Sequence, residues 1–167
     1  DRSVVVTADD GVPLAVRECG PENAPLTVVF SHGFCLRTGA FHFQRDRLAQ
    51  QWGDQVRMVF YDQRGHGLSD KPDTGYDFET VTGDVARLLE VMAVERPFLA
   101  GQSWGGNVAL AFGAYHPGRA QAIIGVAPGG SVVRRHAIVA TTTGAATSAN
   151  ANAAATANAN AAAANAN

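Results

Sequence analysis

The chain has 167 residues, of which 46% are hydrophobic and 17% charged, with a formal net charge of −2. That length fits one domain with a sizeable core, and the composition excludes an intrinsically disordered chain. It also excludes the basic excess that nucleic acid or an anionic membrane would require, since Arg134-Arg135 is the only adjacent basic pair.

No run of about 18 apolar residues is present, so no membrane span is expected. Cys19 and Cys35 lack metal-ligand spacing and read as free thiols. Free thiols favour a reducing compartment such as the cytoplasm. The chain starts at Asp1 and no basic-then-apolar leader follows, and secretion stays open. The sequence leaves the oligomeric state undetermined.

Ser3-Val4-Val5-Val6-Thr7 is β-branched and predicts a strand, Asp9-Asp10-Gly11 a turn, and Val12 to Cys19 the second arm of a hairpin. Gly20 to Pro25 is a loop. Leu26 to Phe30 is a continuous apolar run, the pattern of a strand buried on both faces of a parallel sheet. Phe41 to Trp52 has helical spacing, with Phe41, Leu48 and Trp52 expected on a common side. Val56 to Tyr61 predicts a strand, and Asp62 to Tyr76 a loop rich in Gly, Asp and Pro. Asp77 to Val94 reads as an amphipathic helix with Val81, Val85, Leu88, Leu89 and Met92 on one side. Pro97 to Ala100 is a strand, Asn107 to Tyr115 a helix-like run, and Ala122 to Val126 the next strand. Strands alternating with helices imply an α/β domain with a mostly parallel sheet, entered by an antiparallel hairpin.

The chain changes character near residue 137. Beyond His136 there is no charged and no aromatic residue, and Ala149 to Asn167 is Ala and Asn apart from Thr156. Residues 137–167 read as a low-complexity segment, either a flexible tail or a stretch in which Ala and Asn are placeholders for other residues. No function is read from it.

Three motifs follow predicted parallel strands. Gly101-Gln102-Ser103-Trp104-Gly105-Gly106 lies between the Pro97–Ala100 strand and a helix. Strand, sharp turn and helix make this G-x-S-x-G pattern a nucleophile elbow, with Ser103 exposed on a strained turn and small neighbours two residues away to avoid backbone collision. Ser31-His32-Gly33-Phe34 follows the Leu26–Phe30 strand. Asp62-Gln63-Arg64-Gly65-His66-Gly67-Leu68-Ser69-Asp70 follows the Val56–Tyr61 strand. The ends of such strands are where open α/β sheets place ligands.

In order and spacing these motifs resemble the α/β-hydrolase superfamily over about residues 3–133. The resemblance implies an α/β-hydrolase core, mostly parallel with helices on both faces. Residues 1–136 would be its N-terminal part, about six of eight strands. Ser103 is implied as nucleophile, with the backbone N–H groups of Phe34 and Trp104 as oxyanion donors and their side chains lining an acyl pocket. Gly33 would let the backbone approach the substrate. His32 is implied to support the oxyanion loop rather than act as base. Asp62, Arg64 and His66 would brace a tight loop, and Cys35 would be a small buried residue. No metal or organic cofactor is implied, and the partner is a small-molecule substrate.

In this superfamily the triad runs Ser, acid, His, yet no Asp or Glu follows Ser103. His116 reads as a helix stop, and His136 follows the next strand; neither matches the family histidine. The expected activity is hydrolysis of a small ester-like substrate, a carboxylic ester or lactone, through an acyl-enzyme on Ser103. A serine at the elbow argues against haloalkane dehalogenases and most epoxide hydrolases, which place an aspartate there. The alternative is a non-catalytic ligand-binding homologue, or an inactive fragment lacking the acid and histidine.

Overall fold

Alternating and β-branched residues form one twisted sheet in the computed structural model, which describes residues 1–129. Its strands are β1 (Arg2–Thr7), β2 (Pro13–Cys19), β3 (Leu26–Ser31), β4 (Val56–Tyr61), β5 (Phe98–Gln102) and β6 (Ala122–Val126), in the spatial order β1-β2-β4-β3-β5-β6. β2 runs antiparallel to both neighbours, β1 and β4. β4, β3, β5 and β6 are mutually parallel. The fold is therefore α/β with an N-terminal antiparallel hairpin, as the motif pattern implies.

Three helices cover the sheet: α1 (His42–Trp52), α2 (Phe78–Val91) and α3 (Trp104–Tyr115). Period-2 alternation along the central strands divides their side chains between two cores. Val29, Val59 and Leu99 face α2 and α3, meeting Val81, Val85, Leu88, Leu89, Val108 and Phe112. Phe30, Met58 and Phe60 face the other way, against Phe41 and Leu48. Phe30 stacks on Phe60 with ring centroids 4.7 Å apart. All six residues of β4 are buried, because both layers cover it.

Several boundaries move for local reasons. α2 starts one residue later than the periodicity suggests, because Asp77 is its N-cap and accepts from the Thr80 N–H. It ends before Val94, where Ala93 takes a left-handed φ of 52° that breaks the helix. β5 runs on to Gln102 because its ladder pairs with β6 up to Val126. The expected common side of Phe41, Leu48 and Trp52 is not formed. Phe41 belongs to a 3-10 turn (Thr38–Phe41) ahead of α1, and Trp52 is 44% exposed at the far end of that helix. α1 buries none of its residues fully and rests on the sheet through Leu48. Residues 137–167 and their low-complexity reading lie outside the described residues.

Candidate active site

Strand register brings the three motifs to one end of the sheet. Ser31 at the end of β3 pairs with Tyr61 at the end of β4 and with Gly101 near the end of β5. The His32-Gly33-Phe34 loop, the 62–70 loop and Ser103 therefore leave the sheet at one level.

Ser103 occupies the turn between β5 and α3 with φ 54° and ψ −120°, a left-handed conformation that costs about 1–3 kcal/mol for a residue with a Cβ. Its neighbours hold it there. The Ser103 N–H donates to the Val126 carbonyl (2.9 Å), and its own carbonyl accepts from the Asn107 N–H (3.1 Å). A Cβ on Gly101 would run into the Gly105 backbone, and one on Gly105 into the Ser31 and His32 carbonyls. Both glycines are thus required by close backbone approach. The turn presents Ser103 at the N-terminus of α3, where the first N–H groups lack intrahelical acceptors and carry the positive end of the helix dipole. Trp104 is the first residue of that helix.

Phe34 follows the His-Gly pair and is 70% exposed. Its backbone N–H has no acceptor among the described residues. A Cβ on Gly33 would meet the Gln102 side-chain oxygen, the far end of a flexible side chain, at 2.7 Å. Cys35 departs from expectation. It is exposed, with φ 60°, because the turn closed by the Leu36 N–H on the Gly33 carbonyl (3.1 Å) swings it outward.

His32 is fully buried. Its Nε2 accepts from the Gln63 N–H (3.0 Å), so its proton resides on Nδ1, which donates to the Gly33 carbonyl (2.8 Å). Burial holds its pKa below the ordinary histidine value. With both nitrogens committed and the neutral form favoured, His32 is a strut of the loop. Gln63 completes the strut by donating from Nε2 to the His32 carbonyl (2.5 Å).

The 62–70 loop is tied to its surroundings by many hydrogen bonds. Asp62 accepts from the Thr38 N–H (2.7 Å) and the Leu68 N–H (2.8 Å), tying the loop to the turn before α1. Arg64 donates from Nε (2.7 Å) and Nη2 (2.7 Å) to the two oxygens of Asp84, and from Nη1 to Asp10 (2.8 Å). The Asp84 carboxylate hydrogen bonds push the guanidinium pKa up. Burial opposes ionisation of Asp84, yet the bidentate geometry keeps the pair ionised. Ser69 joins in by accepting from the Ala15 N–H (2.8 Å). His66 donates from Nδ1 to the Arg64 carbonyl (3.0 Å), and its ring meets those of His32 (5.1 Å) and Phe34 (5.7 Å) edge-on.

Gln63, Asp84 and Ser69 are partners that sequence reasoning missed. Asp84 did leave a signal: it lies between Val81, Val85 and Leu88 on the apolar side of α2, where an acid needs a buried cation. Gln63 and Ser69 left none, since their partners come from other strands. His116 caps α3 and stacks on Phe112. The 12 residues of α3, rising about 1.5 Å each, separate it from Ser103. His136 lies outside the described residues.

A parallel sheet, a strained serine between its fifth strand and the following helix, and a braced His-Gly loop alongside define the hydrolase class of α/β proteins. The family model described as "Serine aminopeptidase, S33" matches residues 22–163, and the chain belongs to the α/β-hydrolase superfamily. It is 35% identical over 123 residues to a non-heme chloroperoxidase of Streptomyces lividans, covering 68% of this chain and 40% of the relative. It is likewise 35% identical over 117 residues to 3-oxoadipate enol-lactonase 1 of Acinetobacter baylyi, covering 70% and 42%. Among solved structures it resembles an esterase from Exiguobacterium antarcticum with TM-score 0.69 and 28% identity, over 76% of this chain and 46% of that one. The chain thus spans less than half the length of these relatives. No helix among the described residues is long and apolar enough to cross a membrane.

Proposed function

We propose that the protein is a serine-dependent hydrolase that cleaves a small ester-like substrate, a carboxylic ester or lactone, through an acyl-enzyme on Ser103. The observation that carries this reading is the strained φ of Ser103 between β5 and α3, enforced by backbone packing at Gly101 and Gly105. Ser103 Oγ attacks the carbonyl carbon, and the carbonyl electron pair moves onto oxygen. The Phe34 and Trp104 N–H groups stabilise that oxyanion; loss of one such donor typically costs about 10²–10³ in rate. Collapse expels the alcohol with a proton, and water then releases the acid. His32 does not take the Ser103 proton, because both its nitrogens hold the loop. The substrate is a small molecule.

A p-nitrophenyl acetate assay with a Ser103→Ala control tests the reading. Turnover abolished by the substitution supports it, and turnover that survives overturns it.

The alternative reading is ligand binding without turnover. Treatment of the protein with a fluorophosphonate followed by intact mass separates the two. An adduct lost in Ser103→Ala marks an activated serine, and its absence favours binding alone.

A further inference from the structure

A cleft of about 650 Å³ opens between the Phe34 loop, the 63–67 loop and the start of α3. Ser103 is not among its lining residues, but Phe34 and Trp104, on either side of the implied oxyanion position, both are. The cleft's other rings are His66 and Tyr76. Each of the four is held in place. Trp104 stacks on Phe78 with centroids 5.3 Å apart. Phe34 meets the edge of His66 at 79°. Tyr76 lies over Gly65, where a Cβ would meet the ring at 2.8 Å, and its hydroxyl donates to the Pro72 carbonyl (2.6 Å).

Among the described residues, Arg64 is the one lysine or arginine lining the cleft, and its guanidinium is consumed by Asp84 and Asp10 with the side chain 1% exposed. A carboxylate placed here would be desolvated without a partner, which is costly. Pre-oriented rings without a free charge suit an uncharged aromatic group, which stacks or meets them edge-on at little entropic cost.

We infer that this cleft selects esters carrying an uncharged aromatic group, placed between the Phe34–His66 pair and the Tyr76 and Trp104 rings. The inference rests on the hydrolase reading above and adds the substrate class.

The test compares kcat/KM of the full-length protein for benzyl acetate, methyl phenylacetate, hexyl acetate and monomethyl succinate, followed by pH-stat. One or both aromatic esters should exceed hexyl acetate by about tenfold, the size of one good aromatic contact. Which of the two leads tells whether the alcohol or the acyl side occupies the cleft. Monomethyl succinate should be the poorest. Phe34→Leu, which keeps the backbone N–H, and Tyr76→Ala should each reduce the aromatic-to-hexyl ratio towards one. Hexyl acetate or monomethyl succinate turned over as well as both aromatic esters overturns the inference and leaves the hydrolase reading standing. If no ester is turned over, the hydrolase reading fails instead, and saturation-transfer NMR on the Ser103→Ala protein decides the cleft. Preferential binding of benzyl acetate over hexyl acetate then supports it, and equal binding overturns it.

Discussion

The β5–α3 turn and the 62–70 loop leave the same end of one sheet, and both are rich in glycine and polar side chains. They use them in opposite ways. In the 62–70 loop the charged groups have their partners: Asp62 holds two backbone N–H groups, and Arg64 is shared by Asp84 and Asp10. At the turn, Ser103 is fixed by its backbone alone, through Val126 and Asn107. A polar side chain whose bonding capacity is filled holds structure together, and one held by its backbone keeps its side chain for chemistry. Substitutions in the two regions should therefore separate activity from stability.

The largest expected effect is on activity. Ser103→Ala should lower kcat for p-nitrophenyl acetate by at least about 10⁴-fold, as for other nucleophile deletions. Its thermal midpoint should stay near that of the parent protein, because the hydroxyl makes no hydrogen bond among the described residues. A drop in midpoint matching the loss of activity would break the contrast. Asp84→Ala should do the reverse. It strands the Arg64 charge inside the protein and should destabilise by about 3–5 kcal/mol in urea unfolding. Little change in the urea midpoint would mean that Arg64 finds water or Asp10 instead.

Smaller effects sharpen the comparison. Asp77→Ala removes the N-cap of α2, the helix that carries Asp84, and should cost about 1 kcal/mol. An unchanged midpoint would show that packing alone sets the helix start. The smallest effect is on pH dependence. His32 is held below its ordinary pKa by burial, so the unfolded chain takes up a proton that the folded protein refuses. That contribution is fully present above about pH 6.5 and is lost as pH falls from there towards the folded value. The urea midpoint should therefore decline between about pH 7.5 and pH 5.5, and decline less in His32→Asn. Equal declines would assign the slope to other groups.

Much of the site could be read locally. The G-x-S-x-G run is legible because Gly101 packs on Gly105 within five residues, although Gly105 itself is fitted to the Ser31 and His32 carbonyls. The alternation of strands and helices likewise follows from local periodicity, and β4 and β6 fall where the apolar runs lie. The exposure of Cys35 is not legible in the sequence because its outward turn depends on how residues 33–36 close, which its small apolar character does not encode. That of Trp52 is not legible because helical spacing gives a side but not what covers it. Arg64 carried a visible charge, whereas its partners Asp10 and Asp84 come from a hairpin turn and a helix distant in the chain.

The sequence by itself determined the α/β alternation and the place of the serine turn, because those patterns lie within a few residues of each other. Only the tertiary structure decided that His32 is a neutral strut, that Arg64 is fully consumed and that four rings line a cleft with no free lysine or arginine among the described residues. Those properties belong to contacts between residues 20 to 54 positions apart, which the sheet order brings together and the linear chain does not.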